Sequence, residues 1–213
     1  MVNPKHWVAA FAFVGLLTSS GVANAEGKMY VEVGASMAQP GDASAEFTTE
    51  NLAASWDLGE MMGGKLEIGG DFGQFRAGVK IRYLEGDVDA ISGGVTGVSS
   101  VTGGEGPDTV LGVATFNIYW DIADIKAGDD ASITPYVGVG AGHARAFMQA
   151  EGTLAGVLRE DHRNDSGKAL TGTVGALFSV SDNVGISAEY EYMDIDIGGL
   201  DVHSASIGLR LSF

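Results

Sequence analysis

From Val31 to the C-terminus the chain repeatedly places an apolar residue at every second position. The clearest run is the last one. Ala205, Ile207, Leu209, Leu211 and Phe213 alternate with Ser204, Ser206, Gly208, Arg210 and Ser212. Strict alternation is the signature of a strand whose two faces meet different surroundings. The same period recurs at Val31–Met37, Phe75–Tyr83, Phe116–Trp120, Val137–Ala141, Leu170–Val180 and Val184–Tyr192, and more weakly at Met62–Ile68. Eight strands of about 9–12 residues are therefore expected, long enough to cross a bilayer at a tilt. The linkers between them alternate in length. Short ones are expected at 70–74, 123–131 and 181–183. Long ones are expected at 38–60, 85–108 and 149–167, with a shorter linker at 194–201.

One-sided length asymmetry suits an antiparallel up-and-down barrel with short turns at one rim and long loops at the other. The two faces then need an assignment. A soluble sandwich or a soluble periplasmic barrel would bury the apolar set; a membrane barrel turns it outward to lipid. Two features favour the second reading. Aromatic residues stand at both ends of the apolar face: Phe75, Trp120, Phe178 and Phe213 near the short turns, and Tyr83, Tyr190 and Tyr192 near the long loops. Phe75 and Tyr83 are eight residues apart, about 26 Å along a strand, close to the height of a lipid-facing band. The opposite face also carries balanced charge. Lys65, Arg76, Lys80, Arg82 and Arg210 stand against Glu32, Glu67, Asp121, Glu189 and Glu191. Inside a narrow lumen these ten are expected to pair, because a lone buried charge costs several kcal/mol. Glycines between them leave room for long side chains, since eight strands enclose only enough space for side chains.

Composition sharpens this picture. The 213 residues are 45% hydrophobic, include 33 glycines and no cysteine, and carry 28 acidic against 12 basic residues, a net charge of −16. A disordered chain would be less apolar. Disulfide scaffolds and thiolate metal sites need cysteines. The acidity excludes a nucleic-acid binder. Most of the negative charge falls in the long linkers, whose only bases are Arg159 and Arg163. The acids there are Asp42, Glu46, Glu50, Asp57, Glu60, Glu85, Asp87, Asp89, Glu105, Asp108, Glu151, Glu160, Asp161, Asp165, Asp194, Asp196 and Asp201. They form a hydrated outer surface able to attract divalent cations or host molecules, although Asp194-Ile195-Asp196 lacks the twelve-residue spacing of a dedicated calcium loop. At the N-terminus, Lys5 and His6 precede an apolar run from Trp7 to Leu17, and Ala23-Asn24-Ala25 follows. This is the pattern of a cleaved export signal. The expected organisation is a signal peptide over 1–25 and a barrel domain over 26–213.

Several segments resemble the family of eight-stranded outer-membrane barrels that includes opacity-type porins and surface antigens. Gly70-Asp71-Phe72-Gly73-Gln74-Phe75-Arg76 resembles its second hairpin turn. Thr115–Asp121 is similar to its fourth strand, and Ile133–Gly142 to its fifth. The row Ile207, Leu209, Leu211 and Phe213 resembles the C-terminal signal read by the barrel assembly machinery. The resemblance spans nearly all of 26–213. It implies an all-β fold in the outer membrane of a Gram-negative cell, in contact with lipid and lipopolysaccharide, and it implies little about activity.

Catalytic chemistry is not expected. Gly138, Gly140 and Gly142 sit within a strand with no helix to follow, so they are not a dinucleotide fingerprint. His203 and Ser204 are adjacent and must point to opposite faces. His143 and His162 have no ligand-spaced partner. His143 and Arg145 continue the outward face of the fifth strand to the rim, where Arg145 is placed to meet a lipid phosphate. The expected molecule is a monomeric barrel with a plugged lumen and a structural or surface-interaction role, without cofactor or metal. The alternatives are a narrow channel for small solutes or ions and, third, a membrane-embedded lipid-modifying enzyme.

Overall fold

The computed structural model describes residues 27–41, 43–47, 52–93, 108–128, 131–154 and 157–213. The expected signal segment lies outside them. Eight strands form the wall: β1 (Lys28–Pro40), β2 (Leu52–Asp71), β3 (Phe75–Gly93), β4 (Asp108–Asp121), β5 (Ser132–Leu154), β6 (Val157–Ser181), β7 (Val184–Ile195) and β8 (Leu200–Ser212). Each pairs antiparallel with the next, and β1 pairs with both β2 and β8, which closes the sheet on itself. Closure removes the exposed edges that an open sheet would leave unpaired. At the seam Met29 and Phe213 exchange backbone hydrogen bonds of 3.0 and 2.9 Å. Two short strands lie off the wall: Ala43–Phe47 beside β2 and Ile125–Lys126 beside the start of β5.

The alternation of the sequence becomes an alternation of surroundings. Outward Val139 and Ile207 are 67% and 66% exposed, whereas inward Glu32 and Lys80 are 0% and 1% exposed. A water-soluble sheet would show the reverse. The aromatic residues of both girdles face outward, and Phe75 stacks on its cross-strand partner Trp120 at 6.4 Å. The β2–β3 turn is tight. Gly73, with φ of 87°, sits in the β2–β3 turn, where its amide donates to Asp71 Oδ1 at 2.9 Å; a left-handed backbone there favours glycine.

The segments expected to be long loops are in large part strand. β5 and β6 run for 23 and 25 residues and stay in register up to Leu154 and Val157. β1 reaches Pro40, β2 starts at Leu52 and β3 continues to Gly93. The expected boundaries at Ala38, Glu60, Glu85, Gln149 and Gly167 therefore mark where the pattern ends, not where the ladder ends. Beyond the lipid both faces of a hairpin meet water, so backbone pairing continues without any period-two signature. Of the expected loop acids, Asp42, Glu50 and Glu105 lie outside the described residues. Glu46, Asp57, Asp87, Asp89, Asp108, Glu151, Glu160 and Asp161 lie on strand backbone whose side chains are not described.

Candidate functional site

The lumen is where the chain concentrates its chemistry, and it consists of two layers. The lower layer, towards the short turns, holds charge. Lys65 Nζ lies 2.7 Å from Glu32 Oε1 and 2.5 Å from Glu189 Oε2. Lys80 Nζ reaches Glu191 at 2.8 Å, Glu189 at 3.2 Å and Glu67 at 3.6 Å. Arg82 meets Glu191 at 3.1 Å. Arg210 donates twice to Glu32 Oε2, at 2.9 and 2.7 Å. Arg76 grips Asp121 through Nε and Nη2. The ten charged residues of the inward face thus meet one another inside the barrel. The period of two puts them on one face, and the strand stagger brings acids of β1, β2 and β7 level with bases of β2, β3 and β8.

Three tyrosines complete this layer, and the sequence reading did not assign them to it. Tyr30 and Tyr119 donate to the two oxygens of Glu67 at 2.5 and 2.8 Å, and Tyr136 donates to Glu189 Oε1 at 2.8 Å. Their rings face the cations: Arg76 lies 4.3 Å from the Tyr136 centroid and Arg210 lies 4.2 Å from that of Tyr30. Such contacts strengthen when water is excluded. The signal was present, because all three fall in phase with the inward charges. Glycine makes the space for them. A Cβ on Gly208 would stand 2.8 Å from Glu32 Oε1, and one on Gly175 2.7 Å from the Tyr136 hydroxyl, closer than real Cβ atoms approach.

Above the charges the lumen turns apolar. Met61, Leu84, Leu111, Val113, Ala144, Ala146, Met193, Ile195 and Val202 form a buried cluster inside the wall. The β7–β8 turn, with Gly198 and Gly199 at φ of 64° and 71°, adds Ile197 to it, and the first residue of β8 adds Leu200. The amide of Asp196 donates to Lys168 O at 2.9 Å and fixes the turn to β6. Between the layers several polar atoms have no partner: Arg82 Nε and Nη2, Ser36 Oγ and Ser204 Oγ.

The remaining candidates separate. His203 faces outward: its Nδ1 lies 2.5 Å from the Tyr190 hydroxyl and its Nε2 lies 3.5 Å from Asp201. Ser204 faces inward and is buried. His143 is outward on β5, and the side chain of His162 is not described. Among the described residues no three His, Asp or Glu converge as metal ligands would.

A closed antiparallel wall with an apolar outside and a charged inside defines a membrane-spanning β-barrel. A family described as "Outer membrane protein beta-barrel domain" matches residues 9–213, and the chain belongs to it. Its place is the outer membrane. Similar solved structures include OprG from Pseudomonas aeruginosa, 15% identical, covering 88% of this chain and 96% of that one with a TM-score of 0.58. Neisserial surface protein A is 16% identical over 87% and 97% of the two chains, at 0.55. Ail of Yersinia pestis, in complex with a heparin analogue, is 15% identical over 88% and 99%, at 0.50. At these identities the likeness is one of fold. A comparison with curated proteins found none that matches.

Proposed function

We propose that the protein is a monomeric, sealed outer-membrane barrel whose role lies at its outer surface and its lipid interface, not in passage through its lumen. The two-layer filling carries this reading. A solute entering from the short-turn side meets an ion-pair network closed by three tyrosines. One entering from outside meets an apolar plug. Breaking the network means exposing charges that no partner satisfies, at several kcal/mol each. Hydrolysis and acyl transfer receive no support from His203, because the adjacent Ser204 points to the opposite face. The acidic outer hairpins suit contact with divalent cations or host molecules, and the row Ile207, Leu209, Leu211 and Phe213 serves as the segment read by the barrel assembly machinery.

A narrow channel is the second reading, favoured by the unpartnered polar atoms of Arg82, Ser36 and Ser204 between the layers. Water there would shorten the path that must open. The test is conductance of the folded protein in a planar bilayer. Sealed barrels give no steady openings at moderate voltage; reproducible steady openings would establish the channel and overturn the proposal.

A further inference from the structure

Among the described residues the outward face carries lysine and arginine at its upper rim on β5 and β6. On β2, β3 and β7 the first charged residues above the apolar surface are Glu60, Glu85 and Asp194, all exposed. On β5 and β6 they are Arg145 and Lys168, also exposed, and the exposed imidazole of His143 stands beside them. His143 and Lys168 are direct cross-strand partners, and Arg145 stands one outward position above His143. Directly beneath them the wall is lipid-facing: Val139, Leu170 and Val174 are among its most exposed apolar residues. A cationic patch in a chain of net charge −16 is a local departure from the overall field.

Its construction suits a headgroup. Across the ladder from Arg145 and His143, β4 presents Gly112 and Ala114. These small residues leave a shallow bed beside the two side chains. Arg145 is held: its Nε donates to Asn164 Oδ1 at 2.8 Å, and its guanidinium lies 4.7 Å from the Phe147 ring centroid. Among the described residues neither His143 nor Lys168 has an ion-pair partner. Asp194 and Asp196 bound the patch on the β7 side and confine an anion to the β4–β6 sector.

We propose that Arg145, Lys168 and His143 form a binding site for the phosphate of an outer-leaflet glycolipid, whose acyl chains lie along Val139, Leu170 and Val174. Arg and Lys donate charge-assisted hydrogen bonds to phosphate oxygens, and basic clusters at a membrane boundary hold anionic headgroups. The position at the top of the apolar band commits the ligand to a lipid and not to a free ion. The proposal does not depend on whether the lumen conducts.

The test is retention of lipid A by the purified, folded full chain, read by native mass spectrometry. Phosphorylated lipid A is expected to be retained about tenfold better than its dephosphorylated form, the ratio that one charge-assisted contact provides. The R145Q/K168Q variant loses that preference, and the R145K/K168R variant keeps it. The K126Q variant removes an exposed cation at the opposite rim and leaves the preference unchanged. Folding of each variant is checked by its heat-modifiable gel shift, and K168Q alone stands in if the double variant does not fold. Equal retention by the wild type and R145Q/K168Q would overturn the site. So would an equal loss in K126Q, which would mark a general charge effect. Displacement of the lipid by millimolar inorganic phosphate would overturn its assignment to a lipid.

Discussion

The two halves of the lumen solve one problem by opposite means. The lower half buries ten formal charges; the upper half buries Met61, Leu84, Leu111, Met193, Ile195 and Val202 as an ordinary core would. Both are inside the same wall, on the same faces of the same strands. Arg82 marks the boundary. Its Nη1 lies 3.1 Å from Glu191 and 3.9 Å from Met193 Sδ. The upper half gains from excluding water. The lower half gains little from charge as such, because two ions taken out of water lose most of what their attraction returns. Its use is geometric: each acid accepts from specific partners, so each strand has one register that satisfies all of them. Apolar side chains fill space; the charges below them fix which residues face each other.

The largest effect should come from breaking the lower layer on one side only. Glu189→Ala leaves Lys65 to share Glu32 with Arg210, leaves Lys80 to Glu191 and Glu67, and strands the Tyr136 hydroxyl. The buried layer then holds five cations against four anions, and a loss of about 3–5 kcal/mol is expected for that one unbalanced buried charge, measured by urea unfolding in lipid vesicles. Removing both members of a pair should behave differently. Arg76→Leu with Asp121→Leu eliminates the most self-contained pair, and the cost should fall below about 1 kcal/mol. If the double variant were as unstable as Glu189→Ala, the charges would be contributing net stability and the contrast between the layers would disappear.

Next in size is Leu84→Ala in the upper layer. Leu84 is fully buried, and its truncation should cost about 2–3 kcal/mol, the usual penalty for a cavity in a packed core. The same variant sharpens the functional reading, because a plug one side chain smaller still stands above an intact charge network and should remain non-conducting. Ser204→Ala probes the boundary between the layers. Its buried hydroxyl has no partner, so the substitution should be neutral or stabilising by up to about 1 kcal/mol. A clear loss of stability would mean that the hydroxyl is satisfied by ordered water.

How much of this could be read beforehand follows the same division. The strands, the outward row and the inward charges were legible, because lipid outside and a filled lumen inside impose a strict period of two. The upper plug was not, although its residues keep the phase: Leu84 follows Arg82, Met193 follows Glu191, and Val202 precedes Ser204 on the inward face. There an apolar residue faces inward while the outward neighbours become Glu85, Asp194 and Asp201, so the alternation inverts and resembles the end of a strand. The long β5–β6 hairpin was hidden for a related reason. Beyond Met148 its sequence no longer alternates, and nothing in the order of residues distinguishes paired backbone from loop. Inward glycines such as Gly175 and Gly208 are legible as space, but which side chain needs each one depends on cross-strand stagger, which a single sequence does not display.

The smallest effect belongs to a residue outside both layers. Asp124 lies in the short turn between β4 and β5, where hydrogen bonding to Ser132 holds its carboxyl below the usual carboxylate range. Slight burial works the other way, and Lys126, with Nζ 3.6 Å from Asp124 Oδ2, adds to the lowering. A depressed carboxyl favours the folded state once it is ionised. Its contribution is therefore complete above the unfolded value, near about 4, and is lost as the pH falls through the lower folded value. The group is largely exposed, so solvent screening keeps the effect small. An NMR titration of the folded protein should place the Asp124 midpoint below that of an unstructured aspartate, and Ser132→Ala should raise it more than Lys126→Gln does. The stability difference between wild type and Asp124→Asn should be flat from neutral pH down to about 5 and shrink below that. A midpoint equal to that of a free aspartate would show that the turn does not hold Asp124, and the short Ile125–Lys126 pairing with β5 would then have to rest on its backbone hydrogen bonds alone.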